Sequence, residues 1–383
     1  MSRCCGVVLL CVAVSISADA ARGDDAVRFV RVPDSGIQPQ VARDASGTVH
    51  LLYFNGEPGA GDLYYVRRSD RDERFSEPVR VNSQPGSAIA VGSIRGGQLA
   101  LGREGRVHVA WNGSGTAEPK GAVKYGNPML YSRLNDEMTA FEPQRNVIDK
   151  AYVLDGGGSV AADEAGNVYV AWHAGNAEAS RRVWMVRSSD DGATFSSETA
   201  IDREQLGACG CCGLKSFADR DRSVYVLYRS AQDATNRDMN LLMSTDAGNL
   251  FTTQQVDRWK IATCPMSSES FAATADAVYA AWETNGQVFV SRIDKKTRLA
   301  GTPVAPPGTG TGRKHPALTA TSDGRVLLVW DEGTGWQKGG ALAWQEFDSR
   351  GKPTKVRGKR DGIPVWSFPA VFAEDAGAFV VLY

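Results

Sequence analysis

Short apolar runs separated by turns rich in Gly, Asp and Asn recur along this sequence from about residue 27 to its last residue. No long stretch keeps the 3.6-residue spacing of an amphipathic helix; apolar and polar positions alternate with the period of strands. One pattern is written seven times, at residues 39–53 (PQVARDASGTVHLLY), 97–111, 158–172, 215–228, 269–282, 316–330 and 369–383. Each copy is an apolar strand, a polar turn and a second apolar strand that closes on Trp or Tyr.

Between the copies lies a second recurring unit. A strand such as 63–67 (LYYVR), 183–187, 241–243 or 288–291 is followed by a polar turn and an outer strand such as 78–81 (PVRV). Four short strands per unit, repeated at near-constant spacing, predict an all-β propeller of four-stranded antiparallel blades. Stacked sandwiches do not require one hairpin design at a fixed period. The last copy ends after its second strand, and the early segment 27–32 (VRFVRV) is expected to complete that blade as an outer strand. Seven blades follow, with six and one displaced hairpin as the alternative. Residues 21–383 then form one domain, because a blade cannot bury both faces alone. Trp111, Trp172, Trp282 and Trp330, repeated at the end of second strands, are expected between blades.

Composition adds an address and removes some functions. Of 383 residues, 42% are hydrophobic and 23% charged, enough to fill a core, and the formal net charge is −1. That charge gives no general reason to bind nucleic acid or an anionic membrane. Arg3, the apolar run Cys4 to Ile16 and the small-x-small Ala18-Asp19-Ala20 read as a cleaved signal peptide, residues 1–20, with no transmembrane segment after cleavage. The expected location is secreted or periplasmic. Cleavage removes Cys4, Cys5 and Cys11, so the mature chain keeps Cys209, Cys211, Cys212 and Cys264.

Two turns carry a stronger signature: Ser188-Ser-Asp190-Asp-Gly192-Ala-Thr-Phe195 and Ser244-Thr-Asp246-Ala-Gly248-Asn-Leu-Phe251. Weaker versions contain Asp70, Asp136 and Asp294. This pattern resembles the Asp box, or BNR repeat, of sialidases and their non-catalytic relatives. Ser and Asp are expected to lock the turn on backbone N–H groups, Gly to take a left-handed conformation, and the aromatic ring to plug the blade edge. The resemblance implies a sialidase-like propeller over the whole mature chain. It also implies a catalytic set of three arginines, an Asp, and a Tyr with a Glu. Gln38 stands where the first arginine should be; Glu57 and Asp62 lie near the place of the Asp; Glu269 can stand for the Glu, with no partner tyrosine. A glycoside hydrolase with diverged residues is therefore one alternative, and its triad is not demonstrated by the sequence.

The loops that lead into the innermost strands should open together onto one end of the channel. They contain Gln38, Arg95, Asp155, Cys209 to Cys212, Cys264 to Ser268, Arg313, Lys314, His315 and Trp366. Arg95, Arg313, Lys314, His315 and Trp366 are candidate ligand-binding residues, for a glycan, a small anionic ligand or a protein partner. The four cysteines have two main readings. Two disulfides would need no cofactor and would stabilise an exported protein by about 2–4 kcal/mol each. A thiolate site, with His315 as a candidate further ligand, would select Cu(I) or Zn(II). A redox-active cysteine pair is the third reading. The basic run from Lys352 to Arg360 reads as a solvated loop. Function thus stands between an exported binding module with a Cys-rich face, a hydrolase, and a metal or redox protein.

Overall fold

The computed structural model describes residues 26–383 except 70, 73, 122–125, 153 and 309–311. The expected signal peptide and Asp70 lie outside the described residues. Strands are arranged in seven sheets, five of four strands and two of three. Blade one comprises Ile37–Arg43, Val49–Glu57, Ala60–Arg68 and Val79–Arg80; blade two Gln98–Leu101, Val107–Asn112, Met129–Arg133 and Arg145–Asn146. Blade three runs through Leu154–Ala162, Val168–Ala174, Arg182–Ser188 and Thr199–Ala200, and blade four through Leu214–Ala218, Val224–Arg229, Met239–Ser244 and Thr252–Asp257. Blade five has Ser270–Ala273, Ala277–Thr284 and Gln287–Asp294, and blade six Arg313–Ala320, Val326–Glu332, Gly340–Phe347 and Pro353–Ile363. Bridges from Val290 to Val304 and from Ile293 to Ala300 supply the outer edge of blade five. The inner strands neighbour one another around the axis, and that of blade seven, Ala370–Ala373, reaches that of blade one. The architecture is a seven-bladed propeller, as the repeats predict.

Burial falls from the middle of each blade outward. Second strands are buried on both faces, as at Val168–Ala174 and Val224–Arg229, because a neighbouring blade covers each side. The third strand Arg182–Ser188 mixes buried and half-buried positions, and the outermost strand Pro353–Ile363 is largely exposed. Trp111 fills the core between blades one and two, Trp172 between two and three, Trp282 between four and five, and Trp330 between five and six. Tyr53 and Tyr228 occupy the corresponding place elsewhere in the ring.

One expectation about edges holds and one is corrected. Segment Val27–Val30 closes the ring as the outer strand of blade seven, beside Phe379–Leu382 and in parallel register. The Phe379–Leu382 strand already has Ala370–Ala373 on its other side, so its free edge is the one open to the early segment. The basic run from Lys352 to Arg360 is a strand, paired antiparallel with Gly340–Phe347. Its Lys and Arg side chains keep an exposed edge from pairing with another chain.

The Asp boxes staple the turns after the third strands. The Ser188 hydroxyl donates to Asp190 Oδ1 at 2.6 Å and accepts from the Gly192 amide at 2.8 Å; Asp190 Oδ1 accepts the Thr194 amide at 2.9 Å. Ser244, Asp246 and Gly248 repeat this geometry at 2.7 and 2.9 Å. Gly192 and Gly248 have φ of 78° and 75°. Phe195 meets Tyr131 edge-on at 4.8 Å, and Phe251 is buried between blades three and four. In blade two the turn acceptor is Asn135, whose Oδ1 takes the Thr139 and Ala140 amides; Asp136 instead pairs with Arg106 at 2.8 Å.

Candidate metal centre

The turn Cys209 to Gly213 leads into the inner strand of blade four and is tied to its neighbours through the backbone. The Cys209 amide donates to Arg229 O at 2.9 Å, and the Gly213 amide to Ser267 O at 2.9 Å. His173 Nε2, from blade three, donates to Cys212 O at 3.0 Å. These anchors fold the three side chains inward. The Cys209 sulfur lies 3.3 Å from that of Cys211 and 3.4 Å from that of Cys212, and all three are within 4.8 Å of one another. Cys209 and Cys212 are buried; Cys211 is half-buried.

All four described cysteines are free thiols, so the disulfide expectation is not what the structure holds. The three sulfurs stand at non-bonded separations, and a disulfide requires about 2.05 Å. Cys264 is exposed and lies outside the group of three, so the sequence's fourth converging thiol does not join it.

The surroundings are cationic. Arg237 Nη1, from the hairpin after the second strand of blade four, donates to the Cys209 sulfur at 2.9 Å, while Nη2 donates to Glu178 Oε2 of blade three at 2.8 Å. Arg229 lies beneath, its guanidinium 4.9 Å from the Trp259 ring centre and bonded to Arg237 O at 2.8 Å and to Glu283 O. Hydrogen bonds from Cys211 and Cys212, backed by Arg237, draw the Cys209 thiol down, while the bonds to Cys209 and Cys212 push Cys211 up and burial pushes Cys212 up. The cluster thus favours negative charge on one sulfur, held by its neighbours and an arginine. Arg237, Arg229, Glu178 and His173 are not candidates from the sequence: Glu178 and Arg237 lie in the connections after second strands, and His173 and Arg229 stand just past the aromatic that closes each repeat.

The other candidates are spread around the same end of the channel and mostly bound to structure. Gln38 is buried, its amide donating to Ala90 O at 2.6 Å and Trp366 O at 2.8 Å, which joins blades one, two and seven. Arg313 pairs with Glu332 at 3.0 Å under the face of Trp330, so it is a core ion pair and not an open anion grip. Lys314 donates to Pro265 O at 2.6 Å. His315 Nδ1 meets the Ser268 hydroxyl at 3.0 Å, and burial drives its pKa down to about 3. It is not part of the sulfur group. Asp62 accepts from Asn82 and the Gly86 amide at 2.7 Å each, which makes it a loop staple; Glu57 is an exposed strand end. Arg95 is half-buried in the loop before blade two, and Asp155 lies on the inner strand of blade three. Trp366 packs edge-on against Trp336 at 4.5 Å, and Trp336, missed in the sequence, is 61% exposed. Glu269 is buried with neither carboxylate oxygen hydrogen-bonded, and desolvation raises its pKa well above normal.

Gln38, Ser93, Met266, His315 and Trp366 have φ between 47° and 62°, a region non-glycine residues rarely adopt, as do turn residues elsewhere in the ring such as Glu104, Asp191 and Ala247.

No protein-family model and no curated protein matches this sequence. Solved structures do. A protein of unknown function from Dyadobacter fermentans DSM 18053 is 14% identical with a TM-score of 0.51, covering 89% of this chain and 99% of that one. The NanB sialidase from Streptococcus pneumoniae, solved with 2-[(3-chlorobenzyl)ammonio]ethanesulfonate, is 10% identical with a TM-score of 0.52, covering 88% of this chain and 70% of that one. Likeness at such identities speaks for fold and not for chemistry. The chain has the sialidase-like β-propeller fold.

Proposed function

We propose that this chain is an exported propeller that binds one soft metal ion, Cu(I), through Cys209, Cys211 and Cys212. The observation that carries this reading is three sulfurs within 4.8 Å of one another, with no His, Asp or Glu of the described residues joining the group. Structural zinc sites close a tetrahedron with four ligands. Thiolates select Cu(I), and three of them around one positive charge leave two negative charges, which Arg237 and Arg229 offset. Second-shell groups of this kind orient ligands and tune affinity.

Anaerobic titration of the reduced protein with Cu(I) against a chromophoric chelator tests the reading. One equivalent per chain is expected, with three thiols protected from a thiol reagent. Binding that is absent, or that survives unchanged in both Cys211→Ser and Cys212→Ser, retires it.

A second reading is a carbohydrate-binding or carbohydrate-cleaving propeller. It is supported by the fold shared with a sialidase and by the exposed Trp336 ring braced on Trp366, a surface on which a sugar face can stack. A fluorogenic sialoside assay with glycan binding measured in parallel tests it; neither turnover nor binding retires it.

A further inference from the structure

A second set of buried groups lies in the central channel, beside the turn that carries the sulfurs. A cavity of about 120 Å³ sits between the inner strands, lined by Gln40, Gln98, Lys215, Glu269, Ser270 and Leu318 among others. Lys215 leaves blade four and crosses the axis, donating to Gln40 Oε1 of blade one at 3.0 Å and to Gln98 Oε1 of blade two at 2.7 Å. Both partners are neutral amides, and no described carboxylate pairs with the ammonium. Glu269 lines the same space, is 6% exposed, and has no hydrogen-bond partner on either oxygen. The cation and the carboxyl therefore face one cavity without touching.

The lysine has a donor to spare. An ammonium has three N–H groups, two of them used here. By presenting Oε1 to the lysine, each glutamine turns its NH₂ elsewhere, and neither NH₂ has a described partner. Burial favours the protonated, neutral form of Glu269, and it draws the Lys215 pKa down to about 8, which leaves the amine largely charged at pH 7. A buried ammonium whose bonded partners are neutral amides is costly, and with the Glu269 carboxyl kept protonated by burial a counterion relieves that cost. At roughly 10–15 Å³ per water-sized group, the cavity has room for a molecule of several heavy atoms.

We propose that the central channel binds a small monovalent anion of formate to acetate size, held by the Lys215 ammonium and flanked by Gln40, Gln98 and the Glu269 carboxyl. This site does not depend on the thiol reading, and its probes contain no metal.

The test compares thermal unfolding of the full chain at pH 7 in sodium acetate and in sodium gluconate at equal ionic strength, gluconate being too large for the cavity. A saturable rise in Tm with acetate alone is expected. Line broadening of ¹³C-acetate by the wild-type protein, reversed by excess formate, should accompany it. Lys215→Met should abolish both effects. If that variant does not fold, Gln98→Leu keeps the ammonium and should weaken acetate at least about fivefold. Equal Tm in the two salts with no broadening would mean that water alone fills the channel and would overturn the proposal. So would an acetate effect that persists in Lys215→Met, or one unchanged in Gln98→Leu.

Discussion

The Arg237 guanidinium donates to the Cys209 sulfur at 2.9 Å while its other nitrogen holds Glu178 of the preceding blade. One side chain thus fixes a sulfur and the loop across from it. Arg237→Met should leave the fold intact and weaken Cu(I) binding by about 10- to 100-fold, the range typical of outer-shell partners. Chelator competition measures it, and an unchanged affinity would reduce Arg237 to a structural role.

Cys264 offers a contrast within one experiment. Because it is exposed and stands apart from the three sulfurs, Cys264→Ser should keep the full Cu(I) stoichiometry and an affinity within about twofold of wild type. Cys211→Ser should cost at least about 100-fold in the same assay. Equal losses in the two variants would require a four-cysteine site.

His315 supplies a pH signature. Its folded pKa of about 3 lies below the unfolded value of about 6.5, so the unfolded chain binds more protons between those limits. His315 therefore costs stability progressively as pH falls from about 6.5 towards 3. Urea unfolding of wild type and His315→Asn at pH 7 and pH 5 should show wild type losing ground to the variant on acidification. The slope is at most about 1.4 kcal/mol per pH unit. A pH-independent difference would contradict burial of the neutral ring.

Gly192 tests the Asp box as structure and not as chemistry. It has φ of 78°, and an added Cβ would lie 1.9 Å from the Tyr131 hydroxyl oxygen. Gly192→Ala should destabilise by more than about 1 kcal/mol and lower Tm, with Cu(I) affinity unchanged in the protein that remains folded. A neutral substitution would mean that the turn relaxes freely.

The propeller was legible because its signals are local and repeated: one hairpin written seven times, the aromatic closing each second strand, and Ser-x-Asp-x-Gly at 188–192 and 244–248. Each needs only a strand, a turn and a neighbour. The edges were less legible. Segment 27–30 is the outer strand that the unfinished last hairpin called for, but a run such as 352–360 looks like a loop because an exposed edge strand is solvated. At the candidate metal centre the sequence brought out the three cysteines of one turn. It placed Cys264 with them by analogy between loops, yet how far each loop reaches inward is set by contacts such as Gly213 to Ser267. Arg237 and Lys215 were hidden for the same reason, since their partners lie 28 to 175 residues away.

The parallel pairing of 27–30 with 379–382 gives assembly a direction in time. The strand at 27–30 can pair only once 379–382 is in place, so closing the toroid is the contact of longest reach along the polypeptide among its strand pairings. Loss of that early tetrapeptide would unzip the seam and leave the remaining wedges to splay, uncoupling stability of the whole from the soundness of any one part.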